Sequence, residues 1–180
     1  MARLEQTHPV SIHWRSFELR PKGAPPLPPD YRAKIEAARP RLYAVAREQY
    51  HLEMSPGPFG FDSRPALVGA KVAEANGHGP AYHAAAMAAY WQQAQDLGER
   101  NVLAQVAQAA GLDMQAFLVA LDDPEFHSQV QVDIDTARAY GINAVPAMVF
   151  VDKYLVSGAQ PYAVLVEAVE QIAAQESAGN

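Results

Sequence analysis

Strand-forming sequence is confined to two short stretches near opposite ends of the chain, and a sheet built from them must form across everything between. The first is residues 10–19, VSIHWRSFEL, where Val10, Ile12 and Trp14 alternate before the pattern shifts to Phe17 and Leu19. The second is residues 147–151, AMVFV, a continuous apolar run bounded by Pro146 and by Asp152 and Lys153. Its length and flanks predict a strand buried on both faces. Tyr154, Leu155 and Val156 follow after a short turn as its antiparallel partner.

The intervening sequence reads as helix throughout. Residues 20–29, RPKGAPPLPP, form an extended surface connector, because proline fixes φ and removes donors. Tyr31, Ile35, Ala38, Leu42 and Val45 then recur at helical spacing, with Asp30 expected as the N-cap and Pro40 as a kink or break. Ser63 is expected to cap a helix from about Arg64, which the breaker-rich ANGHGP at 75–80 stops. An alanine-rich helix follows to about Gln95. Val102, Leu103, Val106 and Ala110 share the stripe of the next one. Asp113 should cap a short helix, and Asp123 with Pro124 should start another that closes on Gly141. A last helix from Pro161 carries Val164, Leu165, Ala168, Val169 and Ile172. The order strand, helical block, strand, strand, helix predicts an α/β chain whose small sheet domain is interrupted by an all-helical insertion.

Composition narrows the chemistry. Of 180 residues none is cysteine, so these residues cannot form a disulfide, exchange one or build a thiolate metal site. The net charge of -6, with basic residues scattered among acidic ones, argues against a nucleic-acid surface. No apolar run reaches the roughly 20 residues of a membrane span, so no membrane role is expected, and the reading is cytoplasmic. His8, His13, His51, His78, His83 and His127 include no i, i+4 pair and no H-E-x-x-H, so neither a metal site nor a cofactor is expected. Asp122, Asp123 and Glu125 read as capping residues rather than a catalytic pair. Trp14 reads as a core residue, and the aromatic stretch from Tyr82 to Trp91 with Met87 reads as helix packing before it reads as a substrate groove.

Residues 141–160, GINAVPAMVFVDKYLVSGAQ, carry the informative pattern: a helix ending on glycine, a Val-Pro step before a strand, a hairpin, and a final helix. This segment resembles the C-terminal half of the DsbA family of thioredoxin-like disulfide oxidoreductases. It is most similar to the cytoplasmic DsbA-like subgroup that also includes relatives of 2-hydroxychromene-2-carboxylate isomerases. Trp14, Arg15, Phe17 and Leu19 resemble that family's second strand, and the helical block resembles its insertion.

The resemblance implies a thioredoxin-like fold, N-terminally truncated, with an all-helical insertion. The sheet domain would be discontinuous, 1–29 and 141–180, around an insertion at 30–140. It implies that Val145 and Pro146 form a cis-proline loop facing a thiol or disulfide protein or peptide substrate, with glutathione as the alternative partner. A cis X-Pro bond costs only about 0.5 to 1 kcal/mol over trans, so packing can hold it. The resemblance also places Ser157 to Gln160 in a loop beside the active site. The family's first strand, C-x-x-C turn and first helix should precede residue 10, yet only MARLEQTHP stands there, with Arg3, Leu4 and Glu5 resembling the end of that helix. A misplaced start or a truncated gene is therefore expected, with no catalytic residue in the chain as given. The function implied is thiol-disulfide oxidoreductase; the alternatives are a glutathione-dependent isomerase or transferase relative, and a redox-inactive peptide-binding module. An exposed sheet edge, available for dimerisation, is expected where the absent strand would lie.

Overall fold

In the computed structural model of the protein, residues 1–19, 21, 23–55 and 58–178 are described. The chain divides into two compact units, residues 1–19 with 133–180, and residues 20–132.

The second unit is helical. It holds α2 (Pro29–Tyr50), α3 (Arg64–Ala75), α4 (Gly79–Gln93), α5 (Arg100–Ala109), α6 (Met114–Ala120) and the beginning of α7 (Pro124–Ala139). Helices α3, α4, α5 and α6 pack on one another. Their apolar stripes supply the core: Val68 and Val72 from α3, Tyr82 and Ala86 from α4, Leu103 and Val106 from α5, and Phe117 from α6. Tyr82 lies on Phe117 with ring centroids 5.7 Å apart, and its hydroxyl donates to the Ala66 carbonyl at 3.2 Å. Burial pushes the Tyr82 phenol well above its ordinary pKa, so it stays neutral. Gly69 makes this packing possible: a Cβ there would overlap the Tyr82 hydroxyl and stand 2.8 Å from Phe117 Cζ.

Several local expectations need correction. Pro40 neither breaks nor ends α2, which runs on through it to Tyr50. Asp30 sits in the first turn of that helix, where its charge favours the helix N-terminus, but the N-cap is Pro28 and no side chain caps the end. Ser63 occupies the N-cap of α3 without a capping bond; the neighbouring Asp62 carboxylate instead accepts from the Arg64 N–H at 3.0 Å. Asp113 does cap α6, accepting from the Ala116 N–H at 2.8 Å. Asp123 accepts from the Glu125 N–H at 2.9 Å as α7 begins.

The first unit holds α1 (Ala2–Thr7), the rest of α7, β1 (Ala147–Phe150), β2 (Tyr154–Ser157) and α8 (Tyr162–Ala178). β1 and β2 pair antiparallel, Ala147 opposite Ser157, Met148 opposite Val156, Val149 opposite Leu155 and Phe150 opposite Tyr154. One face of the hairpin sends Met148 and Phe150 onto a cluster of Leu4, Leu165 and Val169, which Val10, Tyr162 and Val166 extend. The period of two along β1 and the stripe along α8 meet in this cluster. β1 is half-buried along its whole length and not enclosed on both faces.

Residues 10–18 are not a strand. Three of their backbone donors turn elsewhere: Val10 N–H to the His8 carbonyl at 2.8 Å, Ile12 N–H to the Glu5 carboxylate at 3.1 Å, and Ser16 N–H to the Asp133 carboxylate at 2.8 Å. A β pattern becomes a strand only against a hydrogen-bonded neighbour, and here side chains take the donors instead. Asp133 is buried, and Arg15 also reaches it, at 3.4 Å. Trp14, expected in a core, is 50% exposed.

Candidate functional site

The residues singled out in the sequence, Val145 and Pro146, lie in the bend between the end of α7 and β1. Gly141, at φ +69°, closes the helix, its N–H donating to the Arg138 carbonyl at 2.9 Å. Three residues later the chain bends and enters β1. The Val145–Pro146 peptide bond is cis. Val145 is 51% exposed, and among the described residues its backbone N–H and carbonyl have no hydrogen-bond partner. Pro146 is exposed as well, but its carbonyl accepts from the Gly158 N–H at 2.8 Å.

That bond ties the bend to the far end of the hairpin. Gly158 stands one residue past β2 at φ +81°, a left-handed conformation that glycine adopts without a Cβ penalty. Gln160 folds back so that its side-chain amide donates to the Ser157 carbonyl at 2.8 Å. The segment from Ser157 to Gln160 and the Val145–Pro146 bend therefore form one corner of the sheet unit, and its holding residue is Gly158. The sequence signal for Gly158 was a lone glycine between a strand and a helix, too little by itself to assign a role.

Directly beyond this corner runs a free edge. Among the described residues the sheet has two strands only, so β1 pairs with β2 on one side and with nothing on the other. The exposed Val145 backbone continues the line of that edge. Such an arrangement can take an extended peptide by main-chain pairing, with half-buried apolar side chains beside it.

Among the described residues no ionisable side chain bonds to the corner. The resolved charge pairs of this unit lie elsewhere: Lys153 bonds the Glu176 carboxylate at 2.8 Å, which holds that carboxyl below its ordinary range and the ammonium above its own. In the helical unit, Arg100 grips Asp122 at 2.8 and 3.0 Å and holds its carboxyl low, so Asp122 serves an ion pair. Asp123 caps α7, and Glu125 accepts from the Gln129 side chain at 3.1 Å. His78 donates to the Ala110 carbonyl at 2.8 Å and His127 to the Leu121 carbonyl at 2.9 Å, both as packing contacts. Among the described residues no three metal-ligating side chains cluster, and no helix is long and apolar enough to cross a membrane. The aromatic stretch of α4 is divided: Tyr82 enters the core, while Tyr90 meets Phe61 at a tilt with ring centroids 5.2 Å apart and Trp91 edge-on at 4.9 Å.

Comparison with known proteins identifies the family and the fold. Residues 1–170 match the family described as DSBA-like thioredoxin domain. A probable DsbA oxidoreductase from Streptomyces coelicolor superposes with a TM-score of 0.76 at 27% identity, covering 87% of this chain and 73% of that one. A 2-hydroxychromene-2-carboxylate isomerase superposes at 0.78 over 99% of this chain and 89% of its own, and at 20% identity it shares the fold. Over 86 residues the chain is 30% identical to the ClpXP adapter protein SpxH of Shouchella clausii (strain KSM-K16), a match spanning 44% of this chain and only 29% of that protein. The chain has the thioredoxin-like α/β fold with a helical insertion, and it belongs to the DSBA-like thioredoxin domain family.

Proposed function

We propose that this protein serves thiol-disulfide exchange on extended peptide segments, which it holds at the Val145–Pro146 corner. The observation that carries the reading is the exposed Val145 backbone, unpartnered among the described residues, at the edge of β1 that no described strand covers. Family membership and the 27% identity to a probable DsbA oxidoreductase support it. None of the 180 residues is a cysteine, so the attacking thiolate must be a cysteine outside these residues or a small thiol such as glutathione. The thiolate attacks one sulfur of the bound disulfide, a new S–S bond forms, and the other sulfur leaves as thiolate. The cytoplasm is the compartment this reading assigns.

The absence of a thiol favours a second reading, a redox-inactive module that holds peptides at the same corner. One measurement tests both readings and a second separates them. A labelled peptide bearing a glutathione mixed disulfide should bind the chain, and Val145→Pro, which deletes the N–H at the edge, should weaken it about tenfold. Unchanged affinity in a folded variant defeats both readings. Alkylation of the protein from its native source, with intact mass before and after reduction, then decides the chemistry. Thiols that alkylate only after reduction support exchange, whereas a thiol-free protein that leaves the mixed disulfide intact with and without glutathione is a holder alone.

A further inference from the structure

The longest helix of the insertion carries an apolar seam that the fold leaves uncovered. Tyr31, Ile35, Ala38, Leu42 and Val45 follow one another along α2 at steps of four, three, four and three, the heptad spacing of a helix that packs lengthwise on another. Packing within the helical unit uses a different face. Arg39 lies over the Phe59 ring at 4.2 Å, the Tyr43 hydroxyl is buried, and Ala46 is the buried residue of the helix. These three follow the seam residues Ala38, Leu42 and Val45 by one position, about 100° around the helix. The seam itself stays open, with Tyr31 55% exposed, Leu42 46% exposed, Ala38 exposed, and Ile35 and Val45 half-buried. On the inner face Arg39 and Tyr43 lie within electrostatic reach of Tyr90 on α4.

Charge selects the occupant. Along the outer flank of the seam stand Lys34 and Arg41, both exposed and both without an ion-pair partner among the described residues. A second copy laid antiparallel to match the seam layers, Tyr31 against Val45 and Ile35 against Leu42, would bring Lys34 of each copy beside Arg41 of the other. A parallel pairing would set Lys34 near Arg39. Both arrangements oppose like charges across the seam, which works against self-pairing.

We infer that the exposed seam of α2 is a docking surface for an amphipathic helix of another protein that carries acidic residues opposite Lys34 and Arg41. Leucine-class side chains would fill the seam, and carboxylates would pair with the two free cations.

The test uses the full chain and two labelled helical peptides with leucine at the seam positions, one flanked by glutamate and one by lysine. Anisotropy titration should show the glutamate peptide binding on the order of tenfold or more tightly than the lysine peptide. Leu42→Asp, at an exposed position, should weaken that binding about tenfold while the helical circular dichroism is kept. The pair Lys34→Glu with Arg41→Glu should reverse the preference. The inference is overturned by no binding of the glutamate peptide up to about 1 mM, by a preference that charge reversal does not move, or by indifference to Leu42→Asp. It is equally overturned if sedimentation shows a dimer that Leu42→Asp dissolves, since the occupant is then a second copy. Binding to vesicles of equal parts phosphatidylcholine and phosphatidylglycerol, lost on Leu42→Asp, assigns the seam to lipid and overturns it as well.

Discussion

The helical unit and the sheet unit are built to different standards of closure. In the helical unit, Val68, Leu103, Tyr82 and Phe117 are fully enclosed, and even a glycine hydrogen, at Gly69, is matched to its neighbours. In the sheet unit, the cluster of Leu4, Leu165 and Val169 is small, its hairpin partners Met148 and Phe150 are only half-buried, and among the described residues one edge of β1 is open. Burial of apolar surface is the main favourable term in folding, so the helical unit holds most of the stabilising contacts. The sheet unit keeps unpaired backbone where a partner chain can use it. The proposed function therefore uses the less closed of the two units, as binding segments commonly do.

The sharpest way to break this comparison is to remove one leucine from each core. Leu103→Ala deletes a wholly buried side chain from α5, which three other helices surround, and should cost about 3 to 4 kcal/mol in denaturant unfolding. Leu165→Ala opens a cavity in the smaller cluster, where collapse is easier, and should cost about 2 kcal/mol. Hydrogen exchange should show the second loss in β1, β2 and α8 while α3 and α5 keep their protection. Equal costs, with protection lost everywhere, would mean that the two units unfold as one and that their difference in closure has no energetic consequence.

A smaller effect belongs to the corner itself. Gly158→Ala places a Cβ 3.8 Å from the Gln160 amide nitrogen, an ordinary contact, so space is not the obstacle. The cost comes from φ +81° and should be about 1 to 2 kcal/mol, with Gly158→Asn costing less because asparagine tolerates the left-handed region. Exchange of the Gly158 amide, bonded to Pro146, should accelerate in the alanine variant. An alanine variant as stable as the parent, with that amide still protected, would show that Gly158 does not hold the corner.

How far the sequence reached depended on how local each signal was. Asp113 capping α6, Gly141 closing α7 and the hairpin around Asp152 depend on a few adjacent residues, and they were legible. Val145 and Pro146 were singled out through resemblance, and the open edge beside them was expected from the same source. What was not legible depended on distant partners. Residues 10–19 have a β pattern, yet their donors go to Glu5 and Asp133, and no periodicity announces that Asp133 would be buried to receive one. Trp14 lost its core place for the same reason, since a strand face is buried only if a sheet forms around it. On α2 the apolar stripe is a stripe, but the buried face lies one residue around, where Arg39 lies over the Phe59 ring and the Tyr43 hydroxyl and Ala46 are buried. Pro40 was weighed by propensity alone, and the continuous helix shows tertiary context overriding it.

The smallest predicted effect sharpens the comparison through pH. His83, half-buried on α4, has its pKa pushed below the ordinary 6.5 by burial, which disfavours the imidazolium in the folded state. Between that lowered value and 6.5 the unfolded chain binds more protons than the folded one, so stability rises with pH across this window. The contribution is complete above 6.5 and shrinks as pH falls through the window. Asp122 and Glu176, whose carboxyls are held below their ordinary range, lose their own contributions only at lower pH and leave the window clear. Urea midpoints from about pH 7.5 down to about 5.5 should therefore decline in the parent and flatten in His83→Gln. Because α4 belongs to the helical unit, its amides should carry the pH slope while those of β1 do not. A parent slope that His83→Gln leaves intact would assign the titration to another group, and a slope shared by the β1 amides would tie both units to one unfolding step.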